Sequence, residues 1–407
     1  MKTEVARSYA RLLLKTGVNL QPGQRLMITC NPAQRDFVTL LMDEGYALGA
    51  DYIYPRVAFD DWARVRIDRA PAESLDSVPQ WFVPWHQEMI DDDWATLSLV
   101  GSEDPHLFDT ADPERMSRVD RAARAQRSFF LHAQQKSKFC WCVAAAATDG
   151  WAQQVLGPGA SAADLWKLLE SVYGLDEPDP AAGWRTRLAT LTRRSARLDA
   201  LALDRLHFTG PETDLTVGLM RRSRWGGGSE TAGNGRVFAP NLPTEEVFTT
   251  PDWRRTEGTV RTTRPVEVMG AEVEGAKFVF REGRVVEFSA DKNRDILERF
   301  LGQDDQSNAL GEVALVDASS RIFQSGKIFH SILFDENAAC HIALGSGYPT
   351  TVEGGRALEA AELMALGCNV SRVHTDFMIG GPEVSVDAVT SDGRTLRLID
   401  RGTFQDF

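Results

Sequence analysis

Acidic side chains and histidines that could hold a metal gather between residues 311 and 380. His374 and Asp376 stand two positions apart in the largely apolar segment 373–379, which is typical of a β-strand. Residues at positions i and i+2 of a strand point to the same face, so this imidazole and this carboxylate can converge on one point. Divalent metals of hard or borderline character favour that mixture of nitrogen and oxygen ligands. The pair therefore predicts part of a metal site.

More groups of the same chemistry stand nearby in the sequence. Glu312 lies inside the apolar run 311–316, where an ionised side chain is costly unless it is paired or binds a metal. His341 follows the acidic pair Asp335 and Glu336. Several carboxylates and two imidazoles thus occupy positions that plain core packing would not favour.

The segment NLPTEEVFTTP supplies one more carboxylate from upstream. Glu245 and Glu246 are sequence neighbours, and only one of them can face the site in an extended segment, because neighbours alternate between faces. One metal takes about four to six ligands, whereas five protein ligands with shared carboxylates suit two metals about 3.5–4 Å apart. Each residue alone is more often a packed core residue or a cap, so the prediction of a metal site rests on the whole constellation.

The elements before residue 150 alternate between helical and strand patterns. Three segments carry apolar residues at the three- and four-residue spacing that predicts helices: 3–16, 35–48 and 113–136. Four short apolar runs predict strands: 25–30, 51–57, 97–101 and 139–147. Such alternation is typical of a parallel sheet covered by helices. Neither of the two glycine-rich phosphate-binding motifs accompanies these units, so we predict a scaffold and not a nucleotide-binding domain.

The pattern changes after residue 206. Short strand-like runs follow, separated by glycine and proline, and AKFVF–REG–RVVEFS is typical of a β-hairpin with Gly283 in its turn. Before this change, the stretch 174–184 is rich in proline, glycine and acid and predicts a loop. We therefore predict an α/β fold class with two domains. An N-terminal parallel-sheet α/β scaffold domain, residues 1–195, precedes a C-terminal α+β metal-binding domain, residues 196–407, that is rich in antiparallel strands.

Composition limits the class of protein. A chain of 407 residues is too long for one ordinary core. Its formal net charge of −13 argues against nucleic acid and anionic membrane surfaces as partners, and no stretch approaches the roughly 20 apolar residues of a membrane-spanning helix. Its five cysteines are an odd and sparse set, which does not indicate a disulfide framework. A cytoplasmic location in a reducing compartment is the expectation.

The order and wording of these motifs resemble the M29 family of metallo-aminopeptidases, the thermophilic, aminopeptidase T-like family. The similarity rests on NLPTEEVFTTP, GEVALV, LFDENAACHIALG, YPT and VHTDFMIG, which occur in this order. Carried over position by position, the resemblance implies five metal ligands: Glu246, Glu312, His341, His374 and Asp376. It also implies that Tyr348 lies beside the metals and that Tyr348 and Glu312 are catalytic.

The resemblance implies a metal-dependent aminopeptidase that hydrolyses N-terminal residues from peptides through a water bridging two divalent metals. Zinc, cobalt and manganese all suit the ligands. Peptides are the expected partners, together with a second copy of the chain in a homodimer. Two alternatives stay open. One is a mononuclear iron ring-cleaving dioxygenase of the dihydroxypyridine type on the same fold, because a His/His/carboxylate set can bind iron(II), and the other is a non-catalytic binding protein.

The residue that carries a proton to the leaving amine is left open by the sequence. Glu336, or an oxygen of Glu312 that holds no metal, could act as the shuttle. A structural role for Glu336, bonding to backbone amides around the DENA turn, is an equal alternative.

Overall fold

The computed structural model describes residues 3–406, and the chain forms two compact units. The first unit runs to Arg185 and also includes Ser229–Leu242. The second unit consists of Thr186–Gly228 and the chain from Pro243 onward. The predicted fold class is confirmed, because a parallel sheet with helices precedes a region rich in antiparallel strands.

The helices and strands are named here in chain order. The helices are α1 (Thr3–Leu12), α2 (Arg35–Ala47), α3 (Asp60–Arg69), α4 (Phe82–Asp91), α5 (Pro113–Gln135), α6 (Asp149–Leu156), α7 (Ala162–Val172), α8 (Pro180–Ala200), α9 (Arg294–Leu301), α10 (Arg321–Gln324), α11 (Ile332–Asp335) and α12 (Ala360–Leu366). The strands are β1 (Arg25–Cys30), β2 (Tyr52–Val57), β3 (Ala95–Val100), β4 (Trp141–Ala145), β5 (Leu203–Gly210), β6 (Thr213–Leu219), β7 (Glu230–Thr231), β8 (Val237–Phe238), β9 (Glu246–Thr249), β10 (Pro251–Arg261), β11 (Val266–Val268), β12 (Ala271–Val273), β13 (Lys277–Arg281), β14 (Arg284–Ser289), β15 (Leu310–Val316), β16 (His341–Gly345), β17 (His374–Met378), β18 (Ser385–Thr390), β19 (Thr395–Asp400) and β20 (Thr403–Phe404).

The first unit is built around a four-stranded parallel sheet. Its strands lie in the order β2-β1-β3-β4, and every neighbouring pair is parallel. Most residues of β1 and β3 are buried, as expected of parallel strands that helices cover on both faces. This sheet accounts for the alternation of helical and strand patterns in the sequence. None of the helices in the described part of the chain is long and apolar enough to cross a membrane.

The second unit contains two larger antiparallel sheets. One has eight strands in the order β14-β13-β10-β6-β5-β18-β19-β20, and the other has four in the order β17-β16-β15-β9. The predicted hairpin is confirmed as β13 and β14, with Gly283 at a φ of +82° in the turn. Apolar side chains from both sheets share one core, and examples are Phe208, Val217, Phe278, Val313, Leu344 and Phe377.

Side chains of the four-stranded sheet alternate between this core and the opposite face. On β15, Val313 and Leu315 enter the core, so Glu312 and Ala314 point the other way. All seven residues of β15 are buried, which means that the opposite face is covered as well. A carboxylate on that covered face must be paired or bind a cation.

Helix α8 begins earlier than the sequence predicted. The stretch 174–184 was expected to be a loop, but the helix starts at Pro180, because the first turn of a helix has no use for the N–H that proline lacks. The two units divide inside this helix, after Arg185. The domain division at residues 195 and 196 also falls within α8, and it stays a prediction.

Candidate metal centre

The five predicted ligands stand on one face of the four-stranded sheet. Three of them are the first residues of their strands: Glu246 of β9, His341 of β16 and His374 of β17. Glu312 lies within β15, and Asp376 follows His374 by two positions on β17. All five belong to the second unit. The structure thus brings together every residue that the motifs assigned to the metal site.

Small side chains separate the ligands across the sheet. Ala343 of β16 pairs with Glu312 on one side and with Asp376 on the other. Ala314 of β15 pairs with His341. Because cross-strand partners point to the same face, these two alanines lie between the ligand side chains. Their size leaves room on the sheet for ions that larger residues would fill.

The ligands form two groups that share one member. Glu246, Glu312 and His341 form the first group, and Glu312, His374 and Asp376 form the second. Within each group, one donor atom from every residue lies within 4.8 Å of the others. Glu312 is therefore the one residue of the five that belongs to both groups.

The two oxygens of Glu312 face different histidines. Its Oε1 lies 3.9 Å from Nε2 of His341, and its Oε2 lies 3.4 Å from Nε2 of His374. Nε2 of His374 is also 3.3 Å from Oδ1 of Asp376. The arrangement places one imidazole at each end of a single carboxylate.

Backbone carbonyls orient both imidazoles. Nδ1 of His374 lies 2.7 Å from the carbonyl of Ser346, and Nδ1 of His341 lies 3.2 Å from the carbonyl of Ala339. A carbonyl can only accept, so Nδ1 carries the hydrogen and donates it. Nε2 of each ring is then directed at the carboxylates, in the arrangement usual for metal-binding histidines.

Charge is concentrated at this face. Burial by itself lowers the pKa of His341 and His374, but the surrounding carboxylates outweigh burial and raise the pKa of both imidazoles well above the usual value. Burial raises the pKa of Glu246 despite the opposing effect of His341. For Asp376, burial by itself raises the pKa of the carboxyl, but His374 and His341 together with a backbone hydrogen bond outweigh burial and lower it. Divalent cations would replace the imidazole protons as partners of these carboxylates.

The donor atoms fit divalent cations by their chemistry. Three carboxylates and two imidazoles are the oxygen and nitrogen donors that borderline divalent metals accept. Oε2 of Glu246 is buried and accepts no hydrogen bond of good geometry from the described residues, although Nε2 of His341 lies 3.1 Å away. A buried carboxylate oxygen without a partner is costly, and a cation beside Glu246 and His341 would satisfy it.

Glu245 and Glu246 point in different directions. Glu246 faces the other ligands, whereas the carboxylate of Glu245 pairs with the guanidinium of Arg187 on α8. Both glutamates are buried. Of the two neighbours, Glu246 is the one whose carboxylate lies beside the other predicted ligands, and its role as a ligand stays a prediction.

Tyr348 stands at the edge of the site. Its hydroxyl lies 3.4 Å from Nε2 of His374, and the two rings meet edge to face with centroids 5.1 Å apart. Burial and the negative charges of Glu312 and Asp376 raise the pKa of the Tyr348 hydroxyl well above its usual value. The hydroxyl therefore keeps its proton at neutral pH and can donate a hydrogen bond.

Glu336 is a further buried carboxylate at the site. Burial and the negative charges of Glu246 and Asp376 raise the pKa of the Glu336 carboxyl well above the usual value. Neither of the two ligand groups includes it. Its Oε1 lies 3.3 Å from the side-chain amide nitrogen of Asn337. Glu336 is thus held at the site by a hydrogen-bond donor.

Sequence reasoning missed two side chains on the site face. Phe248 follows Glu246 by two positions on β9, and its half-buried ring contacts Tyr348 with centroids 5.6 Å apart. Ala343 follows His341 by two positions on β16. The two-residue period of a strand was the signal that could have placed both on the ligand face.

Comparisons with known proteins agree on one family. A sequence model of the family described as Thermophilic metalloprotease (M29) matches residues 2–404. Aminopeptidase PepS of Streptococcus thermophilus is 36% identical over 404 residues, which cover 98% of this chain and 97% of that protein. Aminopeptidase T of Thermus thermophilus is 38% identical over 398 residues, which cover 97% of this chain and 96% of that protein. The solved structure of wild-type AmpT from Thermus thermophilus matches with a TM-score of 0.92 at 35% identity, covering 99% of this chain and 100% of that one.

Proposed function

The chain belongs to the thermophilic metalloprotease (M29) family, as its motifs predicted, and from this premise we propose how it acts as a metallo-aminopeptidase. It removes N-terminal residues from peptides by hydrolysis, and its five candidate ligands would hold two divalent metal ions that assist the attack of water. The relatives named above are aminopeptidases, which supports an exopeptidase activity on peptide substrates. They give no support to a ring-cleaving dioxygenase or to a non-catalytic binding protein.

The shared position of Glu312 is the observation that carries the proposal. Glu246 and His341 would hold one ion, His374 and Asp376 would hold the other, and Glu312 would contribute one oxygen to each. When bound, two such ions would supply a Lewis acid for the substrate carbonyl and would lower the pKa of the attacking water toward neutral pH. A single-ion site would not require a carboxylate whose two oxygens face two separate imidazoles.

Tyr348 stabilises the developing oxyanion in this proposal. As water attacks the first peptide carbonyl, negative charge collects on the carbonyl oxygen, and the Tyr348 hydroxyl donates a hydrogen bond to it. The hydroxyl stays protonated at neutral pH because burial and the site carboxylates raise its pKa. Removing one donor of this kind typically lowers kcat by about 10²–10³.

Glu336 moves the proton in this proposal. Cations held beside Glu336 would favour its ionised form. Because Oε1 of Glu336 is engaged by Asn337, Oε2 is the atom that would accept a proton from the attacking water. Glu336 then passes that proton to the nitrogen of the leaving amine as the C–N bond breaks. Proton movement through a carboxylate that binds no ion leaves the ligand set intact during turnover.

Several finer points stay predictions. Zinc, cobalt and manganese suit the ligand set equally by type. A homodimer and a cytoplasmic location are expected from the resemblance and from the composition. Light scattering of the purified chain tests the dimer, and fractionation of cells that produce the protein tests the location.

Metal analysis combined with a substrate panel tests the proposed function. The purified chain is stripped with a chelator and reloaded separately with zinc, cobalt or manganese. It is then offered aminoacyl anilides, dipeptides and the same peptides acetylated at the N-terminus. We expect two ions per chain, metal-dependent release of free N-terminal residues and no cleavage of the acetylated peptides. One iron per chain with oxygen consumption on hydroxypyridines would overturn the proposal.

A further inference from the structure

A fully buried asparagine joins three parts of the site. Asn337 is 0% exposed and lies in the short helical turn Glu336–Ala338, directly upstream of the strand that begins with His341. Its side-chain oxygen Oδ1 accepts a hydrogen bond of 2.7 Å from the backbone N–H of Glu245. Its side-chain nitrogen donates to the carbonyl of Leu333 at 2.9 Å and to Oε1 of Glu336 at 3.3 Å.

The partners of Asn337 define which way its amide points. The N–H of Glu245 can only donate, and the carbonyl of Leu333 can only accept, so the oxygen must face Glu245 and the nitrogen must face Leu333. The backbone of Asn337 is held as well, because the hydroxyl of Ser320 donates to its carbonyl at 2.6 Å. The side chain therefore has one available orientation.

Two separate groups depend on this one amide. The bond to Glu245 holds the backbone one residue before the ligand Glu246, and the carboxylate of Glu245 is held from the other side by Arg187. The bond to Glu336 holds a carboxylate that belongs to neither ligand group. A change at Asn337 can thus act on the metal ligands, on Glu336 or on both, according to which half of the amide it removes.

We propose that Asn337 is a positioning residue for the reaction. Its oxygen sets the direction of Glu246 through the backbone of Glu245, and its nitrogen holds Glu336 at the site through Oε1. The inference rests on the proposed function and deepens it, because it names the residue that holds both the proton-carrying Glu336 and the start of the strand that bears Glu246 in place. Groups that support metal ligands in this way typically change metal affinity or activity by 10- to 100-fold when they are removed.

Two substitutions separate the two halves of the amide. Asn337→Asp keeps an oxygen that accepts from Glu245 but places a second oxygen against Glu336 and Leu333. Asn337→Ala removes all three side-chain hydrogen bonds. Val386→Ala is the control, because Val386 is fully buried in the eight-stranded sheet of the same unit and contacts the core, not the ligands. It costs stability without touching the site.

Metal affinity and steady-state kinetics are measured for all three variants. The dissociation constant for zinc, cobalt or manganese is obtained by competition with a chromogenic chelator, and kcat and KM are obtained on an aminoacyl anilide. We expect Asn337→Asp to keep the metal dissociation constant within about 3-fold while its kcat falls 10- to 100-fold. Asn337→Ala is expected to weaken metal binding by about 10-fold and to lower kcat. Val386→Ala is expected to leave both quantities within about 3-fold.

Two results would overturn the positioning role. One is wild-type affinity and kcat in Asn337→Ala, and the other is an equal loss of metal affinity in both Asn337 variants, as a purely structural role would give. A wild-type chain that binds two ions but releases no N-terminal residue would contradict the proposed function instead. In that case the affinities of the two variants would still decide whether Asn337 positions Glu246.

Discussion

Replacing the shared carboxylate tests the two-ion arrangement most directly. Glu312→Gln keeps the size and shape of the side chain but turns one oxygen into an amide nitrogen that can only donate. The remaining oxygen can serve one ion, so the second ion loses the ligand it shares. We expect the variant to fold, to bind one ion in place of two and to lose measurable turnover.

The loss of folding stability that follows from losing one ion can be calculated. A ligand present at 100 times its dissociation constant stabilises the folded state by about 2.7 kcal/mol. Two ions at that excess would contribute roughly twice this amount, and Glu312→Gln would keep about half. For a unit of this size, about 2.7 kcal/mol corresponds to a melting temperature roughly 5–10 °C lower in excess metal.

The same substitution has a separate effect when a chelator removes the ions. Donor atoms of Glu312 lie within 4.8 Å of those of Glu246 in one group and of Asp376 in the other. At that separation two negative charges repel each other by about 3 kcal/mol at an effective dielectric constant of 20. Nε2 of His341 and Nε2 of His374 lie closer to Glu312, at 3.9 and 3.4 Å, and when protonated they attract it by about 4 and about 5 kcal/mol on the same scale. Because the pairs with the imidazoles are the closer ones, the variant without metal should melt at or below the temperature of the wild type, and the chelated samples therefore measure the part of the loss that does not depend on the ions.

Thermal unfolding with chelator and with excess zinc, cobalt or manganese, together with elemental analysis, measures both effects. Asp252→Asn is the matched control, because it removes a carboxylate that is 7% exposed in the same unit and pairs with Arg254 away from the ligands. The control should keep two ions and full metal-dependent stabilisation. Two ions in Glu312→Gln, or normal hydrolysis by it, would refute the assignment of Glu312 as a shared ligand.

Three further changes have defined outcomes. Ala343→Val should weaken metal binding by about 10-fold or more in a chelator competition, since two extra methyl groups in filled space cost about 1–3 kcal/mol; unchanged affinity would mean that no ion lies beside Ala343. Tyr348→Phe should lower kcat by about 10²-fold with metal content and KM unchanged, and a kcat near the wild-type value would remove the hydroxyl from the mechanism. The ion pair of Arg11 and Glu44 links α1 to α2, and the hydrogen bond from Arg11 outweighs burial and lowers the pKa of the Glu44 carboxyl. Because the folded pKa is lowered, the ion pair stabilises the protein fully above the unfolded pKa of about 4.3, and this stabilisation is lost as pH falls through the folded pKa. Glu44→Gln should thus weaken the hydrogen-exchange protection of α1 at pH 7. The difference in protection between variant and wild type should shrink below about pH 4, and a difference that does not change with pH would contradict the role of this ion pair.

The elements of the chain followed largely from local patterns. Strands β1 and β15 are mostly apolar, and β17 carries the i, i+2 pair of His374 and Asp376 ahead of two apolar residues. All three were predicted near their observed bounds. Helices α3 and α4 were not singled out, because each buries few side chains: Ile67 in the first, and His86 and Met89 in the second. A helix that packs little of its surface leaves only a weak periodic signal in the sequence.

The ligand types, their order and the family were available from the sequence alone. Residues with metal-binding chemistry stood in apolar segments where they would otherwise be costly, and the i, i+2 spacing of His374 and Asp376 was enough to place both on one face. The family resemblance added Glu246 and the role of Tyr348, which spacing could not assign.

Only the tertiary structure decided which side chains of distant strands lie next to one another. Strand register, a long-range property of backbone pairing, put Ala343 between Glu312 and Asp376, and no local pattern encodes that choice. The same holds for Asn337, whose amide bonds to Glu245 across 92 positions of the chain. The sequence by itself determined which side chains can bind a metal, because that depends on residue type. The structure determined which oxygen faces which imidazole and what holds each carboxylate in place, because those relations exist only once distant strands pair.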